Sequence, residues 1–588
     1  MGDDMIPLTE EQQAAVDHDG TLCLTSCPGS GKTRTIIAKL QKCLDEVRET
    51  PRKVACITFT NTGVNEIASR LRTYGDGDDL NFCEISTIHS FCLNYVLRPF
   101  AHLVPHLQGE WAVITSDDEW FTAIVKELTM KYSIKASLAD RFDGLQRQYP
   151  DKLPTDSGLP PAAVVEFFQR ADAEGKVTLG DIVYFSAKLV DHHAFIASAL
   201  ASRFAWFIVD EFQDTTVAQA VILLVIYNLG RSNIFFVGDP NQSILGFAGG
   251  APNLMAKFAK EVNAKIDCHL TGNFRSSKLV VDHAELLCAS TPKMKALGEH
   301  KDFHIPPKYV HCSTAIEGVF EHFLPALDQV GIPLGLSAVL APWWVDLLGV
   351  GRELRKRGIP IIGPGSRPYK RIHEFTYLSE ALSAYLVKPD SDATAAIQKA
   401  LFITLSNIAE VKAWEIYRYN GRRIVFRLIL AAKQVLVNYE GIKEWLLQSA
   451  DACEQILIDE ELLTENHRGV FTKSAAGMLA NMESNDVDVP NMAATELGMI
   501  ALPKNCVNLM TMHQSKGREF DAVAVICCHE GRVPYFATAH IPTQVDESRR
   551  LLYVAATRAK KLLMYFTDQS HHKNSPSRFL KNPYLGMC

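Results

Sequence analysis

The segment Ser26-Cys27-Pro28-Gly29-Ser30-Gly31-Lys32-Thr33 sets two glycines among small residues, ahead of a lysine and a threonine. That order suits a polyphosphate. Gly29 and Gly31 let the backbone close around it, and the N–H groups of a helix start supply donors and dipole. The Lys32 ammonium reaches the β/γ oxygens, and the Thr33 hydroxyl can hold magnesium. Ser26 stands where the general pattern usually has Gly; taken alone, such a stretch can also be a structural glycine turn. A second group, Asp210-Glu211, ends the apolar run Phe207-Ile-Val. In a phosphate-loop enzyme Asp210 would hold magnesium there and Glu211 would polarise the attacking water. The competing reading is a helix N-cap with surface acids. The third is Val237-Gly-Asp239-Pro-Asn-Gln242. Gln242 can contact both the water and the γ-phosphate, although Gly-Asp-Pro-Asn-Gln alone is an ordinary turn.

These residues need strands and helices to hold them. TLCLTS (21–26) is a short β-prone run that leads through the glycine loop into the helical pattern TRTIIAKLQKCL, a strand–loop–helix unit. Further apolar runs read as buried parallel strands: VACITF (54–59), AWFIVDE (205–211), NIFFVGD (233–239), SAVLA (337–341), VNLMTM (507–512), DAVAVICC (521–528) and KLLMYF (561–566). They fall into two groups, one on each side of about residue 270, which predicts two α/β cores. Two long stretches with apolar residues at 3–4 spacing, 95–200 and 390–495, read as helical insertions. YPDKLPTDSGLPP (149–161) reads as a surface loop in the first, and ESNDVDVPN (483–491) as an exposed connection from the second.

Composition sets limits without choosing a function. A chain of 588 residues predicts three or four domains, and 47% apolar with 22% charged residues is ordinary for a globular protein. A formal charge of −7 argues against nonspecific coating of nucleic acid but leaves room for a narrow basic channel. Fourteen scattered cysteines without a C-x-x-C read as reduced thiols rather than zinc ligands or disulfides. The N-terminus lacks the basic start and apolar core of a signal peptide, and no apolar run reaches the ~20 residues that span a bilayer. A cytoplasmic protein is expected.

Taken together and in order, the motifs resemble the UvrD/Rep-type helicases of superfamily 1 over nearly the whole chain. LTEEQQAAV (8–16) is similar to that family's adenine-reading motif, which implies that Gln12 bonds the base edge. ITFTNTGVNEIASRL (57–71) resembles the motif that touches DNA, implying contacts from Thr58, Phe59, Thr60 and Asn61, and ISTIHSFC (85–92) implies one from His89. LTGNFRSS (270–277) is similar to the family's NYRS motif. The resemblance implies that Phe274 and Arg34 sandwich adenine and that Arg275 reaches the γ-phosphate; Phe for Tyr keeps the π face. VNLMTMHQSKGREFDAVAV (507–525) implies DNA contacts from Thr511, His513 and Lys516 and a ribose contact from Glu519. ESRRLLYVAATRAKK (547–561) implies that Arg558 is the second arginine on the γ-phosphate. The fold implied is α/β: two RecA-like P-loop parallel-sheet domains, each with a helical insertion subdomain. The expected division is 1–94 with 201–270 (ATP-binding core 1A), 95–200 (insertion 1B), 271–389 with 496–588 (core 2A) and 390–495 (insertion 2B). ATP and Mg2+ are the implied cofactors, and single-stranded or tailed duplex DNA the implied partner.

This expectation places Lys32, Asp210 and Glu211 on the first core and Arg275 and Arg558 on the second, so one nucleotide would be gripped from both. Phe59, Phe91 and Phe247 are candidate base-stacking rings, with core packing the alternative for each. The sequence departs from the family at Leu245-Gly246-Phe247-Ala248, where a ring and an arginine are missing, and at Pro342, where a basic residue is common. Trp343 and Trp344 read as packing groups rather than base stackers. The second insertion is short for its type. With DEFQDT (210–215) and the chain length, it gives a resemblance to the helicase-like subunit of the Gabija antiphage system, which implies an OLD-family (overcoming-lysogenisation-defect) nuclease or another nuclease subunit as partner. The expected function is an ATP-dependent DNA helicase or translocase moving 3′–5′, in antiphage defence or DNA repair. A DNA-end-sensing regulatory ATPase that activates a partner nuclease is the alternative, and a small-molecule P-loop kinase a third reading.

Overall fold

A computed structural model describes residues 7–587 apart from 76–77, 117, 155–157, 245–252, 368, 370–373, 407, 409–420, 485–486, 502–504, 570–574 and 582–585. The chain forms two compact units, one of residues 1–306, 534–561 and 582–584, the other of 307–533, 562–581 and 585–588.

The first unit is built on a six-stranded sheet whose order is Cys83–Thr87, Lys53–Thr58, Phe204–Val209, Asn233–Gly238, Leu22–Ser26 and Lys265–Leu270. Its pairings are parallel, with Leu24 opposite Val237 and Cys56 opposite Ile208. Alternation explains why the central strands read as unbroken apolar runs: successive side chains point to opposite faces, and both faces are covered. Leu22, Leu24, Val54, Cys56, Trp206, Ile208, Phe235 and Val237 pack with Ile36, Ile37, Leu40 and Leu44 of the helix Lys32–Val47. Cys23, Ala55, Ile57, Phe207, Val209, Ile234 and Phe236 pack on the other face, with Leu179–His192 and Val217–Tyr227. Lys39 is fully buried in this core. Its Nζ donates to the carbonyls of Val16, at 3.2 Å, and His18, and lies 4.5 Å from the centre of the Trp206 ring. It therefore caps the helix Glu10–Asp17, which carries Gln12, and its burial is offset by those acceptors and the ring.

The stretch 95–200 contains the helices Glu119–Lys131, Pro161–Ala173, Leu179–His192 and part of Ala194–Arg203. They carry a small core of their own around Phe121, Leu128, Phe142, Phe167 and Phe168. Leu179–His192 also belongs to the main core, so the predicted insertion is anchored rather than appended.

The second unit holds a seven-stranded sheet in the order Ile361–Ile362, Val507–Thr511, Ser337–Ala341, Phe520–Val525, Ala559–Thr567, Lys308–His311 and Gly586–Met587. Ser337–Ala341 is parallel to both neighbours, with Ala341 opposite Thr511 and Leu340 opposite Val525. Among the described residues, five α-helices from Ser391 to Ala501 pack with Thr376–Val387 around Trp445, Leu457, Phe471 and Met478. The described residues of the stretch 483–491 are mostly exposed, as predicted, with one exception. The stretch enters a short turn, Val489–Asn491, whose Val489 is buried against the helices, so the connection is pinned by an apolar side chain. Among the described residues no helix is long and apolar enough to cross a membrane, and thirteen cysteines are unbridged.

Candidate functional site

The phosphate loop sits where the sequence puts it, between the strand Leu22–Ser26 and the helix Lys32–Val47. Ser26 Oγ donates to the Gly238 carbonyl at 3.1 Å, which fastens the loop to the adjacent strand in a way glycine could not. Gly29 and Gly31 have φ of 67° and 79°, the left-handed region. A Cβ on Gly29 would lie 2.6 Å from Arg275 Cβ, and one on Gly31 2.6 Å from Gln12 Nε2. Gln12 is 2% exposed. Its Nε2 donates to the Ser30 carbonyl at 3.0 Å and its Oε1 accepts from Thr9 N at 3.1 Å, part of a capping box. One amide hydrogen and one lone pair are left for a base edge. Beside this loop, Ser30 Oγ and Arg34 Nη2 are buried with no hydrogen-bond partner. Each orphan costs on the order of 1–3 kcal/mol until something satisfies it, which a nucleotide with its phosphates can do.

From the loop lysine a continuous chain of bonds runs to a buried arginine. Lys32 Nζ donates to Glu211 Oε1 at 2.8 Å, and Gln213 Nε2 donates to Glu211 Oε2. Asp239 N donates to Gln213 Oε1 at 3.0 Å, and Gln242 Nε2 to Asp239 Oδ2 at 2.8 Å. Arg558 Nη2 completes the chain by donating to Gln242 Oε1 at 3.0 Å. Burial disfavours charge on Lys32, but Glu211 and Asp210 outweigh it and hold the ammonium pKa above its ordinary value. Burial, and then the neighbouring Glu211, drive Asp210 well above the carboxylate range, and burial raises Asp239 to about 6. Arg558 is 1% exposed, with a pKa lowered to about 9 by burial and by Arg275. Such a site has surplus buried charge on both sides and gains from a ligand that is both anionic and metal-bearing. Glu211 itself takes φ 51°, ψ 42°, a strained left-handed backbone that turns its carboxylate out of the strand direction.

The segment after the strand Lys265–Leu270 packs onto the phosphate loop. Phe274 N donates to the Gly29 carbonyl at 2.8 Å, and Arg275 Nη1 to the Thr557 carbonyl at 3.2 Å. Ser276 Oγ donates to Ala559 O at 2.6 Å and Ser277 N to Lys560 O at 2.8 Å, so both arginine-bearing segments pack with the phosphate loop inside the first compact unit. The Phe274 ring is 39% exposed at the rim. Gly298 is required beside it, because a Cβ there would lie 2.1 Å from the Phe274 carbonyl oxygen.

Residues 8–263 match the UvrD/REP helicase N-terminal domain and residues 487–570 the UvrD-like helicase C-terminal domain. The chain belongs to the UvrD/Rep-type helicases of superfamily 1. It is 24% identical to the probable DNA helicase II homolog of Rickettsia conorii, covering 97% of this chain and 95% of that one. It is 23% identical to the DNA helicase II of Rickettsia typhi (97% and 94%) and 22% to the ATP-dependent DNA helicase PcrA of Staphylococcus aureus (97% and 85%).

The expected DNA-facing residues of this UvrD/Rep-type chain divide by exposure. Thr58 is 3% exposed and its hydroxyl donates to the Thr60 carbonyl at 2.8 Å, so it shapes the loop rather than facing out of it. Phe59 is half-buried, Thr60 and Asn61 are exposed, and Thr60 caps the helix Asn61–Tyr74. His89 is half-buried, with its pKa lowered by burial. Phe91 is a core ring, packed on Phe204 and Phe207 with centroids at 5.4 and 5.9 Å; as a base stacker it is corrected, because nothing of it reaches solvent. Phe247 lies outside the described residues. In the second unit Thr511 ends its strand and accepts from Gln514 N at 3.3 Å. His513 and Lys516 are half-buried in the turn that follows, and Glu519 is exposed; the His513 pKa is lowered by burial and by Lys516. Sequence reading assigned no role to Gln213, which joins Glu211 to Asp239, nor to Asn273, whose Oδ1 accepts from Arg275 N and Ser276 N. It also missed Glu11, which holds Thr271 through both N and Oγ1. All three lie inside quoted motifs; only Asn273, beside Gly272, carried a local turn signal.

Proposed function

We propose that this chain is an ATP-driven motor on single-stranded DNA, a helicase or translocase moving 3′–5′. The observation that carries the reading is the bond chain from Lys32 to Arg558, with Arg275 beside it, converging on a loop whose Ser30 and Arg34 groups lack partners. ATP would take Lys32 from Glu211, lay adenine between Phe274 and Arg34 with Gln12 on its edge, and bring Glu519 to the ribose. Glu211, released, orients the water. Arg275 and Arg558 meet charge developing on the γ-phosphoryl group, and Gln242 reports its presence to Asp239 and Arg558. Thr33 and Asp210 are the hard-oxygen donors that would hold Mg2+, next to the Lys32–Glu211 pair. The metal would supply charge neutralisation on the phosphates.

Loss of the γ-phosphate frees Arg558, which leads directly into the strand Ala559–Thr567 of the second sheet. The change is thereby delivered along a covalent strand to the sheet that bears Thr511, His513 and Lys516. The four-part division into 1A, 1B, 2A and 2B with the boundaries given above belongs to this proposal. The test is ATPase activity with and without oligo-dT, together with strand displacement on 3′- and 5′-tailed duplexes. Stimulation by DNA, displacement from the 3′ tail and loss of both in Lys32→Ala are expected. DNA-indifferent hydrolysis would overturn the motor reading. DNA-stimulated hydrolysis without displacement would favour the end-sensing subunit and its partner nuclease.

A further inference from the structure

Trp343 and Trp344 are adjacent in sequence but differ in environment. Trp343 is the N-cap of the helix Trp344–Lys356, and the Arg532 guanidinium lies 4.6 Å from its ring centre. Arg532 is held in turn by Asp346, 3.5 Å away, whose side chain is almost buried. That ring is a packing group, as its sequence implies. Trp344 is not: it is 51% exposed, and Val345 beside it is 64% exposed. A half-exposed Trp at the first position of a helix forgoes much of the burial that its large apolar surface could gain, so its exposure calls for a partner.

Its location says which partner. The strand Ser337–Ala341 runs beside Val507–Thr511 with Ala341 opposite Thr511, and Met512 N donates to the Ala341 carbonyl at 2.9 Å. Trp344 follows Ala341 by three residues, and His513 follows Thr511 by two. Both leave the same carboxyl edge of one parallel sheet from neighbouring strands. Ligands of open parallel sheets collect at that edge. Lys516 and Arg518 stand in the turn after Thr511, adding positive charge, while the nearest acid on the Trp344 helix, Asp346, is engaged by Arg532. An exposed aromatic face beside basic side chains fits one base of a single strand whose phosphates pass along the turn.

We infer that Trp344 is a nucleobase-stacking platform of the DNA track. This inference rests on the motor reading and adds a residue to it, in a chain whose 245–248 segment lacks one of the rings and the arginine usual there. The ring would take any base, because stacking uses the π face and not the hydrogen-bonding edge.

The test measures dissociation constants of full-length wild type, Trp344→Ala and Trp344→Phe for oligo-dT and for an abasic oligomer of equal length, at one salt concentration. Trp344→Ala should weaken oligo-dT binding about tenfold and Trp344→Phe less than threefold, with no difference between the three proteins on the abasic strand. An equal loss on both strands, or no loss on oligo-dT, overturns the stacking role. Wild type that fails to bind oligo-dT overturns the motor reading instead, so the two failures are distinct. A melting temperature for each variant within a degree or two of wild type shows that the half-exposed position is not needed for folding; a variant that melts far below it overturns the platform and makes Trp344 a packing group.

Discussion

The carboxyl edges of the two sheets carry polar residues of similar type under opposite conditions. At the first, Gln12, Gln213, Asp239, Gln242 and Arg558 are buried and bonded to one another. At the second, Trp344 and Glu519 are exposed and Thr511, His513 and Lys516 half-exposed, and the local bonds are those of a turn. A compact polyanion that must be cleaved calls for charges withdrawn from water, where they act strongly. A polymer that must be released and re-gripped calls for shallow, replaceable contacts. On the proposed reading, the same strand-end location would serve chemistry in one sheet and grip in the other.

That contrast can be broken by substitution. If the buried edge is catalytic, Arg558→Ala should lower kcat of the DNA-stimulated ATPase by about 10³-fold or more, read by steady-state phosphate release. Normal turnover there would end the argument. Glu211→Gln should lose about 10²–10⁴-fold in kcat while still binding a fluorescent ATP analogue, since the amide keeps the shape but cannot act as base.

Asp239 tests the buried edge by pH. Its carboxyl prefers the neutral form in the folded protein, with a pKa raised from 3.8 to about 6, so the folded state binds the proton more tightly. The associated stability is complete below about pH 4 and lost as pH rises to about 6, up to roughly 3 kcal/mol. Urea unfolding of nucleotide-free wild type and Asp239→Asn should diverge across that window, and parallel curves would remove Asp239 from the account. Gly29→Ala should raise the Kd for ATP and lower stability by about 1–3 kcal/mol, because the new methyl meets Arg275 on a left-handed backbone. The smallest effect belongs to the exposed edge: His513→Ala, which removes a neutral imidazole, should raise the Kd for oligo-dT about threefold to tenfold at any salt concentration. A loss as large as those at the first sheet would erase the distinction between the two edges.

The parts of this design that are legible in sequence are those set by local pattern. The loop 26–33, the Asp210-Glu211 strand end and the apolar strands were readable because a parallel strand buried on both faces has to be continuously hydrophobic. The strands Cys83–Thr87 and Lys265–Leu270 lie at the two edges of their sheet and carry charged or exposed positions, so they have no such signature. Phe91 was ambiguous for the converse reason: a ring beside a functional histidine looks the same in sequence whether it faces solvent or Phe207. Trp343 and Trp344 show the same limit, since their different environments depend on Arg532, nearly two hundred residues away. The bond chain through Gln213 could not be read at all, because it exists only once three strand ends are adjacent.

The capping box at Thr9 has a practical consequence for anyone handling the protein. Thr9 and Gln12 hold each other, and Gln12 holds the Ser30 carbonyl, so the start of the first helix is mechanically part of the glycine loop. Cutting the chain at Thr9 would turn that amide into a charged terminal amine and loosen the Gln12 contact with the glycine loop. Keeping the residues ahead of Thr9 as a spacer would leave it intact.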